Sequence, residues 1–146
     1  MMVRPQTEEQ WAMCRALIQH GAGVLPSPDQ QFLIWTKDAK PVLVVCFNAF
    51  FQKCCQIHVA MAPDYRSTPR QMLYETFSVP FQEWGIEVLL GVVSSKNERA
   101  MRYDLHLGFH ELARLPGVHT DGGDLVILQM WKKDCRYLRG EMKKAA

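Results

Sequence analysis

Apolar positions fall into two periodicities along this chain, and the alternation between them outlines the fold. Trp11, Cys14, Leu17 and Ile18 recur at helical spacing. Thr7-Glu8-Glu9-Gln10 ahead of them has the form of a capping box, and Gly21 offers a stop. After the loop Leu25-Pro26-Ser27-Pro28 come three strand-like runs, Gln31–Thr36, Pro41–Phe47 and Cys54–Ala62. The second run carries Val42, Leu43, Val44 and Val45 without alternation, as a strand covered on both faces does. Pro63-Asp64-Tyr65-Arg66-Ser67 breaks the third run. Thr68-Pro69 then reads as N-cap and first-turn proline of a helix striped with Leu73, Phe77, Phe81 and Trp84, which Pro80 should kink or shorten.

Ile86–Val93 is a further buried-type strand, Ser94-Ser95-Lys96-Asn97 a turn, and Glu98–Leu107 a short helix closed by Gly108. Phe109–Leu115 and Asp124–Trp131 predict a hairpin across Thr120-Asp121-Gly122-Gly123. Front meander and rear strand-helix-strand crossover together predict an α/β (α+β mixed) domain, a central mixed sheet with helices on its faces. One domain is expected over 1–135, followed by a basic polar tail over 136–146.

Composition narrows the class without naming a chemistry. The 146 residues are 48% hydrophobic and 22% charged, which excludes disorder and fibrous repeats. Seventeen Lys and Arg against 15 Asp and Glu give a net charge of +2, too balanced to indicate nucleic acid. No apolar run approaches membrane-spanning length, and no secretory leader pattern opens the chain, so a cytoplasmic protein is expected. The five cysteines (14, 46, 54, 55 and 135) form no Cys-x-x-Cys pair and no zinc spacing, so free thiols and no metal are expected. Neighbours 54 and 55 point to opposite faces of a strand.

Chemistry concentrates in two segments. Met61-x-Pro63-x-Tyr65-Arg66 ends the third strand and leads into a helix, and Asn97-x-x-Ala100 runs on to Gly108-Phe109. With the element order, these motifs resemble the GNAT superfamily of N-acetyltransferases over nearly the whole chain. The resemblance implies about six to seven strands, with two parallel neighbours splaying apart to admit the pantetheine arm of acetyl-CoA like an added strand. Met61, Ala62 and Val92–Ser94 would edge that notch, with Ala60, Ala62 and Gly91 leaving room. Cofactor contacts are implied for Met61, Ala62, Arg66, Ser67, Thr68, Arg70, Gln71, Asn97 and Arg102, the helix N-terminus favouring a pyrophosphate.

The family's glycine-rich turn falls on Pro69 and Gln71, where Ser67 and Thr68 hydroxyls stand in for a lost amide donor. The tyrosine that reprotonates the leaving thiolate falls on Asp104, with Tyr103 one place earlier, and both are retained as candidates for the catalytic acid. A lone Asp in that role needs a strongly raised pKa. The position at which many relatives carry a Glu or His base holds Cys55, and strand parity sends nearby His58 to the opposite face. Lys96, Arg99 and Arg102 form a basic cluster that serves either as a solvated helix face or for phosphate capture. Two functions follow. One is transfer of an acetyl group from acetyl-CoA directly to an amine, by a monomer or homodimer. The other is a GNAT-like binding or structural module without transfer, since the pattern is also similar to small phage-encoded GNAT-like proteins, some of which serve in virion assembly.

Overall fold

The computed structural model describes residues 1–138. Its sheet has seven strands in the order β1 (Met2–Val3), β2 (Gln31–Lys37), β3 (Lys40–Phe51), β4 (Cys54–Met61), β5 (Val88–Ser94), β7 (Leu125–Trp131), β6 (His110–Leu115). Only β4 and β5 are parallel; all other neighbours run antiparallel. Helix α1 (Glu8–Ala22) covers one face through Cys14 and Ile18, which pack on Phe32, Ile34, Val44 and Cys46. Helices α2 (Arg70–Ser78) and α3 (Glu98–Leu107) cover the other, where Met72, Phe77 and Leu107 meet Leu43, Val45, Leu89, Val93 and Leu128. The unalternating run on β3 is explained by this sandwiching: Val44 and Cys46 face α1, Leu43, Val45 and Phe47 face α2.

Helix ends differ from expectation in instructive ways. The Thr7 hydroxyl caps α1 by accepting from the Gln10 N–H at 3.1 Å, while the Gln10 side chain accepts from the Gln6 N–H. Gly21 does not stop the helix. The chain continues to Ala22, and Gly23, at φ 68°, takes the left-handed cap and donates to Gln19 O. Gly21 instead permits contact, because a Cβ there would lie 2.8 Å from the Ala60 Cβ on β4. Thr68 is not the N-cap of α2. Pro69 occupies that position with an extended ψ of 146° and no side-chain cap. The helix then gives way at Pro80, as expected, to a π-helical turn over Val79–Glu83.

The segment expected as a tail from 136 has buried residues at its start. Tyr137 and Leu138 are buried in the core, and the Tyr137 ring stacks on Phe77 at 5.3 Å between centroids. Two large apolar side chains inside a basic segment are enough to draw it back over α2. Residues 139–146 of that tail lie outside the described residues. No disulfide joins any two of the five cysteines. Among the described residues no helix is long and apolar enough to cross a membrane.

Candidate active-site cleft

The parallel pairing of β4 with β5 lasts for three positions, Cys54↔Val88, Cys55↔Leu89 and Gln56↔Leu90, and then stops. Beyond it the strands diverge around a cavity of about 630 Å³. The Ala62 N–H donates to Val42 O on β3 at 2.8 Å. Backbone groups alternate sides along a strand, so those of Val59 and Met61, beyond the last pairing with β5, point away from β3 and into the gap. This is a sheet edge exposed within the interior of the sheet, ready to pair with an extended ligand arm. The opening reaches through the sheet plane. Its wall includes Gly21 and Ala22 of α1, His58 on the α1 side of β4, and Thr76 and Phe77 of α2 with Ala100 and Asp104 of α3 on the other side.

Of the residues expected to hold a cofactor, Met61, Ala62, Arg66 and Asn97 line this cleft. Ser67, Thr68, Arg70, Gln71 and Arg102 lie outside its wall. The Arg66 guanidinium folds back on its own loop, donating to Pro63 O at 2.6 Å and Tyr65 O at 3.1 Å. The Asn97 side-chain oxygen accepts from the Ala100 N–H at 3.2 Å and so caps α3 while bordering the cleft. The basic cluster divides: Arg99 lines the cleft, Lys96 is tied to the β6–β7 loop through Asp121 O at 2.9 Å, and Arg102 is exposed elsewhere. Pro69 leaves α2 with the unpaired amides of Arg70, Gln71 and Met72, the first helical bond running from Leu73 N to Pro69 O.

Both acid candidates line the cleft, although they are consecutive on α3. Burial raises Asp104 to about 6. Burial first, then the nearby Asp104 charge, raises Tyr103 to about 12. Cys55 is fully buried and its thiol is pushed up to about 12, which removes it as a base. Sequence reasoning missed Thr76, a buried polar residue between Leu73 and Phe77 on the inward stripe of α2; a hydroxyl at an apolar-face position was the available signal. Parity along β4 places His58 on the α1 side, as expected, and the ring reaches the cleft wall because the opening extends to that face where β5 has departed. Among the described residues no group of three or more His, Cys, Asp or Glu is arranged to hold a metal.

No family model and no curated protein matches the sequence. Solved structures do match. A point mutant of the spermidine N-acetyltransferase SpeG from Vibrio cholerae superposes with a TM-score of 0.77 at 9% identity, covering 97% of each chain. A structure from Desulfovibrio desulfuricans assigned to the GNAT acetyltransferases gives 0.72 at 16% identity, covering 90% of this chain and 98% of that one. A chimera of SpeG with hSSAT gives 0.74 at 11% identity over 94% and 99%. Strand order, the single parallel pair and its early divergence are thus parts of one architecture: the chain has the GNAT fold.

Proposed function

We propose that the protein is an acetyl-CoA-dependent N-acetyltransferase that passes the acetyl group directly to an amine. The observation that carries this reading is the β4–β5 divergence, which leaves the backbone groups of Val59 and Met61 facing the cleft. The pantetheine arm pairs with β4 there, and the Met61 N–H polarises the thioester carbonyl as negative charge develops on its oxygen. Arg66, Arg99 and the free first-turn amides of α2 meet the phosphates, with Ser67, Thr68, Arg70, Gln71 and Arg102 around that outer end. The amine attacks the carbonyl carbon, the C–S bond breaks, and Tyr103 or Asp104 reprotonates the departing thiolate. Asp104 is the sole carboxylate among the described lining residues, beside two arginines, which suits an amine of low positive charge better than a polycation. The protein works in the cytoplasm as a monomer or homodimer.

The start of α2 at Pro69 favours one other reading, a GNAT-fold binding or structural module that has lost transfer, since proline lacks the amide a glycine would offer there. Titration with acetyl-CoA separates them. For micromolar affinity, a hundredfold excess over Kd stabilises the fold by about 2.7 kcal/mol, which a thermal melt reads as several degrees. No shift at millimolar acetyl-CoA rejects the enzyme.

A further inference from the structure

Among the described residues, half of one sheet face carries no helix. Leu89 and Val93 of β5, and Val126, Leu128 and Met130 of β7, pack beneath α2 and α3. Side chains alternate along a strand, so Val88, Leu90 and Val92 of β5, with Leu125, Ile127 and Trp131 of β7, occupy the opposite face. On that face α1 covers only β2, β3 and β4. The six side chains accordingly join neither apolar cluster, and Trp131 is 44% exposed. Ala113 and Leu115, paired with Ile127 and Leu125, carry the apolar strip out to β6 at the sheet edge. The amide of Gln129 lies among them, its oxygen accepting from Trp131 Nε1 at 3.1 Å. Apolar surface left open in this way marks a place where something binds.

The strip begins at the cleft. Val92 belongs both to it and to the cleft wall, on the side where Gly21, Ala22 and His58 also line the opening. This mouth is uncharged at neutral pH, because burial pushes His58 down to about 4. The charged wall groups, Arg66, Arg99 and Asp104, come from the loop after β4 and from α3. With its phosphates at the first turn of α2, acetyl-CoA fills the cleft from the other face and leaves this mouth to the amine. From Val92 the strip runs about 13 Å along β5 to Val88 and about 10 Å across the strands to Ala113.

Resting on the acetyltransfer reading, we propose that this strip holds the acceptor, and that the acceptor is a primary amine with an apolar alkyl or aryl body. The nitrogen enters the cleft past Val92, and the carbon skeleton lies on Leu90 and Ile127. The strip offers a polyamine no carboxylate, since none of its side chains is charged. A second copy of the chain fits less well. Three strands by seven residues give a footprint on the order of 350 Å², less than half of the roughly 800 Å² that each partner of a stable dimer buries. The chain's own end fits no better. Leu138 lies in the core of the opposite face, and the eight residues after it carry four charges.

The test measures thiol release from acetyl-CoA by the full-length protein with propylamine, hexylamine, octylamine and spermidine. KM is expected to fall about twofold per methylene, about thirtyfold from propylamine to octylamine, with spermidine no better than propylamine. Ile127→Gln and Leu90→Gln are each expected to cut the propylamine-to-octylamine ratio below about tenfold, while the melting shift with acetyl-CoA persists. Methyl NMR of the wild type with coenzyme A stands even if a variant fails to fold. There octylamine is expected to move the Leu90, Val92 and Ile127 signals and to leave Ile34, beneath α1, in place. Equal KM values along the series, a KM for spermidine below that for octylamine, or a ratio unchanged in both variants overturns the inference. So do NMR shifts confined to Met72 and Leu73 on the α2 wall, or a wild-type dimer in sedimentation that Ile127→Gln splits. A melting shift with acetyl-CoA but no thiol release to any of these amines also overturns it and leaves the acetyltransfer reading standing. With neither melting shift nor thiol release, that reading itself fails and the acceptor surface falls with it.

Discussion

Tyr103 and Asp104 share one wall of the cleft but differ in the protonation they hold at neutral pH. Asp104, at about 6, is mostly ionised at pH 7.5, whereas Tyr103, at about 12, keeps its proton. Tyr103 is therefore the donor expected to work at neutral pH. The rate is expected to hold from pH 7 to 9, with Tyr103→Phe costing about a hundredfold in kcat. A rate that falls as pH rises through 6, together with collapse in Asp104→Asn and indifference in Tyr103→Phe, transfers the role to Asp104. Stability supplies a second check. Because its folded pKa lies above the unfolded value, Asp104 binds its proton more tightly in the fold, and stability is lost as pH rises from about 4 through 6. Asp104→Asn is thus expected to raise stability at pH 8 by on the order of 2 kcal/mol, read as a higher melting temperature, and to give no gain at pH 4.

At the level of elements, the contact between α1 and β4 sets one edge of the cleft. Gly21 lets the helix approach until a Cβ would sit 2.8 Å from Ala60. Gly21→Ala is expected to push the helix off the strand and cost about 1–3 kcal/mol, measured by urea unfolding. An unchanged midpoint would show that the helix end yields freely. The element order and most strand bounds were readable because apolar periodicity follows burial, as the run Val42–Phe47 and the Asn97–Gly108 helix show. The end of α1 was not, because Gly21 serves a tertiary contact that no local pattern reveals. The start of α2 was misread for a related reason: Thr-Pro reads as cap and first turn, yet Pro69 stays extended. The notch could be anticipated from the resemblance, and parity placed His58 on the α1 face, but that the opening would extend to that face could not, since it depends on how far β5 departs.

Across the whole molecule, the sheet is joined unevenly. β2, β3 and β4 pair along most of their length, as do β5 and β7, while the two groups meet at only three parallel positions. The apolar clusters on the two faces bridge that seam to different degrees. The cluster beneath α2 and α3 includes residues from both sides of it, whereas the one beneath α1 draws only on the β1–β4 side. Tyr137 and Leu138 add to the bridging cluster, so the segment after β7 contributes to the core.

Seen as a mechanical object, the molecule is two blades fastened near one end, and an occupant of the gap acts as a rivet. In amide hydrogen exchange, Val59 and Met61 are expected to exchange quickly in the free protein, because their N–H groups have no strand to meet, while Ala60 and Ala62, bonded to β3, exchange slowly. Acetyl-CoA is expected to slow the first set most and to spread protection across Val92 and Ser94 as the blades lock. Uniform protection before any addition would mean that the seam is already closed. A protein built this way ties its rigidity to the supply of its ligand.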